Sequence, residues 1–150
     1  MEFVSIVGSR IGADYEHVER FVRALHARQP DTVLVSGGAN GVDKLAESLW
    51  LELGGEVWSF RVRQLGLNRF GIEKWELGGE QPRVFVLNEE PTFANWMSAA
   101  IYRNALIAEH GQRVVAFYKR GLSRGTQVTV DFAVGAGRKV YEYEVGRIAA

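Results

Sequence analysis

Short apolar runs alternate with segments of helical periodicity, and this alternation constrains the fold more than any other feature of the chain. Residues 3–7 and 32–35 are apolar runs that end at glycine-containing turns, as fully buried strands do when a tight turn follows. Between these runs Val18, Val22 and Leu25 recur at helical spacing. A strand, a helix and a second strand in this order predict a parallel sheet with right-handed crossovers.

The alternation continues through most of the chain. The further predicted elements are a helix over 41–53, a strand over 56–62, a helix over 93–109, a strand over 113–118, a helix over 124–136 and a strand over 139–145. The last strand alternates polar and apolar residues, so one of its faces meets solvent and we expect it at a sheet edge. We predict an α/β fold with a Rossmann-like, doubly wound, mainly parallel sheet of about five strands and helices on both faces.

Residues 63–92 interrupt this pattern with closely spaced glycines and prolines. Within them only residues 84–87 have the composition of a strand. The chain has 150 residues, which is the length of one domain. We therefore predict a single Rossmann-like domain over residues 1–150, with an insertion or lid at 63–92.

The composition narrows the classes of function. The chain has no cysteine, and its three histidines have no histidine partner three or four residues away, so we expect no metal and no cofactor. It lacks an apolar run long enough to span a membrane, and residues 1–3 lead directly into a predicted strand, so we expect a cytoplasmic protein without a membrane partner.

Charge is balanced overall but not along the chain. Basic and acidic residues number 18 each, which gives no long-range attraction for nucleic acid. Residues 103–150 hold eight basic and four acidic side chains and are the region most favourable to an anion. A solvated surface of mixed charge explains the same asymmetry.

Three turns follow predicted strands at the edge where parallel sheets bind ligands, over residues 8–10, 36–43 and 121–126. The second and third run through glycines into helix N-termini, whose free N–H groups and positive dipole attract anions. They match neither a Walker loop nor the dinucleotide fingerprint, which argues against ATP hydrolysis. The alternative is helix capping at four polar positions, Asn40, Asp43, Ser123 and Thr126.

Taken together and in this order, the turns resemble the SLOG superfamily. The resemblance is carried by Val7-Gly8-Ser9-Arg10, by Val35-Ser36-Gly37-Gly38-Ala39-Asn40-Gly41-Val42-Asp43 with Ala46, by Arg103-Asn104, by Ala116-Phe117 and by Ser123-Arg124-Gly125-Thr126. That superfamily joins the DNA-processing protein DprA (Smf), the cytokinin-activating LOG phosphoribohydrolases and small YspA/YpsA-like proteins of bacteria and phages. The chain is most similar to the YspA-like branch. The matches span residues 3–141 and leave 63–92 outside.

The resemblance implies a Rossmann-like domain that binds a nucleotide or nucleotide-derived ligand at the strand ends and assembles as a dimer or larger oligomer. The implied ligand-binding residues are Gly8, Ser9, Arg10, Ser36, Gly37, Gly38, Ala39, Asp43, Arg103, Asn104, Ser123, Arg124, Gly125 and Thr126. The planar guanidinium of Arg103 suits a phosphate or a carboxylate. A surface ion pair is the alternative role of this arginine.

One departure from the LOG pattern bears on mechanism. The LOG motif Pro-Gly-Gly-x-Gly-Thr-x-x-Glu supplies a carboxylate that helps to cleave the N-glycosidic bond, and this chain has Thr129 at that position. Asp43 is the candidate catalytic carboxylate in its place. The leading hypothesis is a protein that senses or sequesters a phosphorylated nucleotide derivative. The alternatives are a nucleoside 5′-monophosphate phosphoribohydrolase and, less favoured, DprA-like binding of single-stranded DNA.

Aromatic residues offer a possible base-binding surface. If the predicted lid covers the cleft, a nucleobase could stack on one of Trp50, Trp58, Trp75, Trp96 and Phe70. Aromatic side chains more often fill a core, which is the alternative for each of them.

Overall fold

The structure is a computed structural model that describes residues 2–10, 15–87, 92–119 and 121–144. The strands in these ranges are β1 (Phe3–Gly8), β2 (Val33–Ser36), β3 (Glu56–Gly66), β4 (Arg69–Leu77), β5 (Arg83–Leu87), β6 (Arg113–Phe117) and β7 (Lys139–Tyr143). The helices are α1 (Tyr15–Arg28), α2 (Val42–Glu52), α3 (Trp96–His110) and α4 (Arg124–Gly135). All of the strands belong to one sheet, in the order β5-β4-β3-β2-β1-β6-β7.

The parallel part of the sheet is doubly wound. Strands β3, β2, β1, β6 and β7 run in the same direction. The chain moves outward from β1 to β3 and then returns to the other side of β1 as β6, so the strand order reverses between β1 and β6. In such sheets the reversal opens a crevice at the carboxyl ends of the strands. The predicted α/β, Rossmann-like class is confirmed.

Helices cover both faces of the sheet, as predicted. Val4 and Ile6 of β1 belong to a buried cluster with residues of α1 and α2, whereas Val7 belongs to a second cluster with residues of α3 and α4. Successive strand residues point to opposite faces, so the central strands β1, β2 and β6 supply both apolar layers. This burial on two sides explains why these three strands are largely apolar runs.

The sheet has seven strands where about five were predicted, because residues 66–87 extend it. After β3 the chain turns at Asn68, whose φ of 54° is in the left-handed region, and returns as the antiparallel strand β4. Strand β5 then pairs with β4. The predicted insertion or lid at 63–92 therefore lies within the sheet over residues 63–87, and residues 88–91 lie outside the described residues.

Charged residues made β4 difficult to predict from periodicity. Its Glu73 and Glu76 form ion pairs with Arg63 of β3 and Arg83 of β5, at 3.3 and 2.6 Å. These charges are satisfied by neighbouring strands, although in the sequence they resemble a polar loop.

Strand β7 lies at a sheet edge, as its alternating pattern predicted. Its predicted last residue, Val145, lies outside the described residues. Within the described ranges, no helix combines the length and the hydropathy that a membrane crossing needs.

Candidate functional site

The turn after β1 lies at the reversal point of the sheet and is packed tightly against α2 and β6. A Cβ atom on Gly8 would collide with the carbonyl oxygen of Phe117 and would lie 2.6 Å from Cβ of Val42. The Gly8 N–H donates to Oδ1 of Asp43 at 3.2 Å, and the Ser9 N–H donates to the Phe117 carbonyl at 3.0 Å. Glycine at position 8 therefore lets the start of α2 approach the ends of β1 and β6.

The second turn leads from β2 into α2 without a side-chain cap. The N-cap residue of α2 is Gly41, with φ of 87°, and a Cβ there would collide with the carbonyl of Ser9. The Asp43 carboxylate accepts from the backbone N–H groups of Gly8 and Ala39 instead of capping its own helix. Capping by Asn40 and Asp43, the alternative that the sequence offered, is thus not what the structure shows.

The third turn joins the start of α4 to the turn after β1. The N-cap residue Ser123 makes no side-chain hydrogen bond to its own helix among the described contacts, and its Oγ lies 2.8 Å from Oγ of Ser9. In α3, by contrast, Asn95 accepts from the Ser98 N–H at 2.8 Å in the usual capping arrangement. The first N–H groups of α4 therefore lack the capping partner that α3 has.

Arg103 of α3 reaches under the second turn. Its side chain is buried, with 9% exposure, and its guanidinium donates to the Gly37 carbonyl at 3.3 Å and to Oδ1 of Asn104 at 3.1 Å. Burial lowers the pKa of Arg103, the charge of Asp43 opposes this lowering, and the charge of Arg10 adds to it. Arg103 is thus a buried cation close to a second cation, and among the described residues it does not form the surface ion pair that was its alternative.

Asp43 is a buried carboxyl with a strongly shifted proton affinity. It is 6% exposed, and burial raises its pKa to about 7. The charge of Arg103 and the N–H groups of Ala39 and Gly8 lower this pKa, whereas the charge of Glu47 raises it. A carboxyl with this pKa exchanges its proton near neutral pH, which is one requirement for general acid–base chemistry.

Glu47 is a buried residue that the sequence reasoning missed. It lies one turn after Asp43 on α2, accepts from the hydroxyls of Ser36 at 2.9 Å and Ser59 at 3.3 Å, and forms an ion pair with Arg61 at 3.3 Å. The signal for it was present, because a spacing of four residues places Glu47 on the same face of α2 as Asp43.

Most of the fourteen predicted site residues are joined to one another by direct contacts. The joined residues are Gly8, Ser9, Ser36, Gly37, Gly38, Ala39, Asp43, Arg103, Asn104, Ser123 and Gly125. Arg10 interacts with Arg103 through its charge. Arg124 is exposed and Thr126 is buried at the start of α4, and no contact among the described residues joins their side chains to the other turns. Thr129 is 1% exposed and donates to the Gly125 carbonyl at 3.1 Å.

Among the described residues, the other places for a site would be a metal-binding cluster or a second cavity that could bind a phosphorylated ligand. No cluster of three or more histidine, aspartate or glutamate side chains in the described ranges has a metal-binding arrangement. An open concavity of about 500 Å³ lies at the other end of the sheet, and its charged lining residues are Asp31, Glu56, Glu76 and Arg83. Arg83 is paired with Glu76 at 2.6 Å, so the remaining charge is acidic and the concavity is a poor place for a phosphorylated ligand.

Comparison with known proteins finds a family match for the N-terminal third of the chain. Residues 3–50 match the model of the YAcAr family, described as the YspA, cpYpsA-related SLOG family. The matched segment runs from β1 into α2 and contains the first two turns of the site. The resemblance to the SLOG superfamily is confirmed. A search among curated proteins finds no significant match.

Solved structures share the fold. DNA processing protein A (DprA) from Streptococcus pneumoniae is 24% identical, with a TM-score of 0.70 over 99% of this chain and 52% of that protein. DprA from Helicobacter pylori, described by its single-stranded DNA binding mode, is 16% identical. Its TM-score is 0.67, and the alignment covers 99% of this chain and 67% of that protein. The protein TM1055 is 17% identical, with a TM-score of 0.59, and the alignment covers 93% of this chain and 72% of that protein. The chain thus spans about half the length of the Streptococcus pneumoniae protein.

Proposed function

We propose that this chain binds a phosphorylated nucleotide or a nucleotide-derived ligand. The first two turns of its Rossmann-like sheet lie in the segment that matches the YspA-related SLOG family, which supports this proposal. The binding site is the crevice at the carboxyl ends of β1, β2 and β6. One observation carries the proposal: Arg10 and Arg103 converge beside the start of α4, whose N-cap side chain bonds to Ser9 and not to its own helix. Backbone N–H groups and guanidinium groups are the usual ligands of phosphate.

The charge balance of the crevice supports an anionic ligand. Asp43 has a pKa of about 7, so at neutral pH it is ionised only in part and neutralises only part of the charge of Arg103. Arg10, which is exposed, adds a second positive charge. The potential at the crevice is therefore positive although the whole chain has zero net charge.

Removal of exposed cations from the crevice tests this proposal. We expect Arg10→Ala and Arg124→Ala each to weaken the binding of ADP-ribose and AMP about tenfold or more, since each removes a positive charge that attracts the phosphate. Both side chains are exposed, so neither variant leaves a cavity in the core. Isothermal titration calorimetry measures the effect.

The control for that experiment is Arg28→Ala. Arg28 is exposed at the end of α1, at the opposite end of the sheet, and its loss changes the net charge by the same amount. Equal affinity of the wild type, the crevice variants and the control for both ligands would contradict the proposed site.

A second candidate function is cleavage of the N-glycosidic bond of a nucleoside 5′-monophosphate by water, giving a free base and ribose 5-phosphate. The pKa of Asp43 favours it, because a carboxyl with a pKa of about 7 is available as an acid to protonate the leaving base. Thr129 supplies no carboxylate, and its hydroxyl is engaged with the Gly125 carbonyl. Base release from AMP that Thr129→Ala retains and Asp43→Asn abolishes would support the enzyme.

Single-stranded DNA is the third ligand to test, because the Helicobacter pylori protein that shares the fold is described as binding it. The equal numbers of basic and acidic residues in this chain argue against a strong polyanion surface. We expect weak binding of a labelled oligonucleotide at moderate salt, measured by fluorescence anisotropy. Tight binding that AMP does not displace would overturn the small-ligand proposal.

A further inference from the structure

The four tryptophans occupy different surroundings, and Trp96 has the most accessible ring. Trp50 is fully buried in the core beside α1 and α2. Trp58 and Trp75 each carry a cation directly over the ring, Lys74 at 4.2 Å and Arg61 at 4.4 Å from the ring centroid. Trp96 is 42% exposed and belongs to the first turn of α3.

Trp96 is placed on the side of α3 that faces the site. It precedes Arg103 by seven residues, which is close to two full turns, so the two side chains leave the helix in nearly the same direction about 10 Å apart. Arg103 reaches the Gly37 carbonyl in the second turn. Asn95 caps the helix just before Trp96 and holds the first turn in place.

The turn after β1 approaches the tryptophan from the other side. The guanidinium carbon of Arg10 lies 6.0 Å from the centroid of the Trp96 ring. Planar groups in contact lie about 3.5 Å apart, so a ring inserted between two such groups needs about 7 Å. Arg10 is exposed and can move outward by this small difference. By contrast, the cations over Trp58 and Trp75 lie too close to leave such a gap.

We propose that Trp96 and Arg10 form a stacking subsite for an aromatic base, with Trp96 as the specificity-determining residue. The inference rests on the proposed function, since it assigns the phosphate to the crevice and the base to this pair. The ligand class is then a nucleotide with an intact base, and a sugar phosphate lacks the group that the subsite recognises. Stacking on an aromatic side chain tolerates different bases, so the subsite selects for a base without selecting strongly among bases.

A matched pair of ligands isolates the subsite. AMP and ribose 5-phosphate share the phosphate and the sugar and differ in the base. We expect the wild type to bind AMP more tightly, and Trp96→Ala to weaken AMP binding about tenfold while leaving ribose 5-phosphate unchanged. Trp96→Phe retains a stacking face and should restore most of the AMP affinity. GMP, CMP and UMP should follow AMP, all measured by isothermal titration calorimetry.

The control is Met97→Ala. Met97 is the next residue on the same turn of α3, is 62% exposed, and points away from the Trp96 direction by about 100°. We expect this variant to bind both ligands as the wild type does.

The outcomes separate the subsite from the phosphate site. If the wild type binds the nucleotides and ribose 5-phosphate equally and Trp96→Ala changes neither affinity, the subsite is overturned and the phosphate site stands. If the wild type binds none of these ligands, the proposed function fails and the subsite fails with it. Equal loss of AMP and ribose 5-phosphate affinity in Trp96→Ala would also overturn the subsite, because it indicates damage to the crevice as a whole.

Discussion

Two buried carboxylates lie one turn apart on α2, and the contacts around them differ. Glu47 accepts hydrogen bonds from two serine hydroxyls and forms an ion pair with Arg61 at 3.3 Å. Asp43 accepts from two backbone N–H groups and is attracted by Arg103, but no ion pair within contact distance joins Asp43 and Arg103 among the described residues. Both side chains flank the second turn of the site, since Gly37 lies beside Asp43 and Gly38 beside Glu47.

The difference separates a carboxylate that is paired with a cation from one that keeps a high proton affinity. A buried charge that is paired and fully hydrogen-bonded stabilises one arrangement of its neighbours. A buried carboxyl without a contacting cation retains a high proton affinity, and for Asp43 the result is a pKa of about 7. We therefore assign Glu47 to the support of the loop, and we propose that Asp43 contributes to the chemistry or charge balance of the site.

The largest expected effect comes from removal of the structural carboxylate. Glu47→Ala should lower the free energy of unfolding by about 3 kcal/mol, because it leaves two buried serine hydroxyls and Arg61 without their acceptor. This value is toward the lower end for a buried pair, since the Arg61 side chain is 33% exposed and can reach water. Chemical denaturation measures it.

Glu19→Ala is the control for that variant. Glu19 pairs with Arg23 on the surface of α1, where both side chains are about half exposed, and its removal should cost no more than about 0.5 kcal/mol. Similar losses of stability in Glu47→Ala and Glu19→Ala would contradict the structural assignment of Glu47.

The second expected effect is a pH dependence of the free energy of unfolding, which arises from the raised pKa of Asp43. Its pKa rises from 3.8 to about 7 on folding, so the folded chain keeps a proton over a range in which the unfolded chain releases it. The stabilisation from this proton is fully present below about pH 4 and is lost as the pH rises toward 7. Between pH 5 and pH 7 the loss is about 2 kcal/mol.

Asp43→Asn should remove that slope, which denaturation at several pH values measures. Asp31→Asn, which replaces an exposed carboxyl, should keep it. An unchanged slope in Asp43→Asn would show that other groups account for the pH dependence and would remove the contrast between the two carboxylates.

The smallest expected effect is the uptake of a fraction of a proton by the protein when AMP binds. A phosphate beside Asp43 disfavours the ionised carboxylate, so the wild type should take up a fraction of a proton when AMP binds near pH 7.5. Calorimetry in two buffers of different ionisation enthalpy measures this uptake. The uptake should disappear in Asp43→Asn, and an identical uptake in that variant would place the phosphate away from Asp43.

Local patterns in the sequence predicted the parallel part of the molecule well. Strands β1, β2 and β6 are continuous apolar runs because both of their faces are buried, and α1 follows the spacing of Val18, Val22 and Leu25. Glycines 8 and 41 were found as turn residues because close packing or a positive φ excludes other residues there.

Partners that are distant in the chain were not predicted. The hydroxyl contact between Ser9 and Ser123 spans 114 residues, and it replaces the capping role that the local pattern suggested for Ser123. Strand β4 was missed because its charges are satisfied only once the neighbouring strands are in place. Glu47 was missed because the burial of a charged residue depends on Ser59 and Arg61, which belong to β3.

By itself the sequence determined the order of the parallel strands and the helices, the positions of the glycine turns and the SLOG resemblance, because periodicity and turn chemistry act over a few residues. Only the tertiary structure decided the protonation of Asp43, the separate role of Glu47 and the exposure of Trp96 beside Arg10. Burial and electrostatic interactions arise from groups that are far apart in the chain and adjacent only after folding.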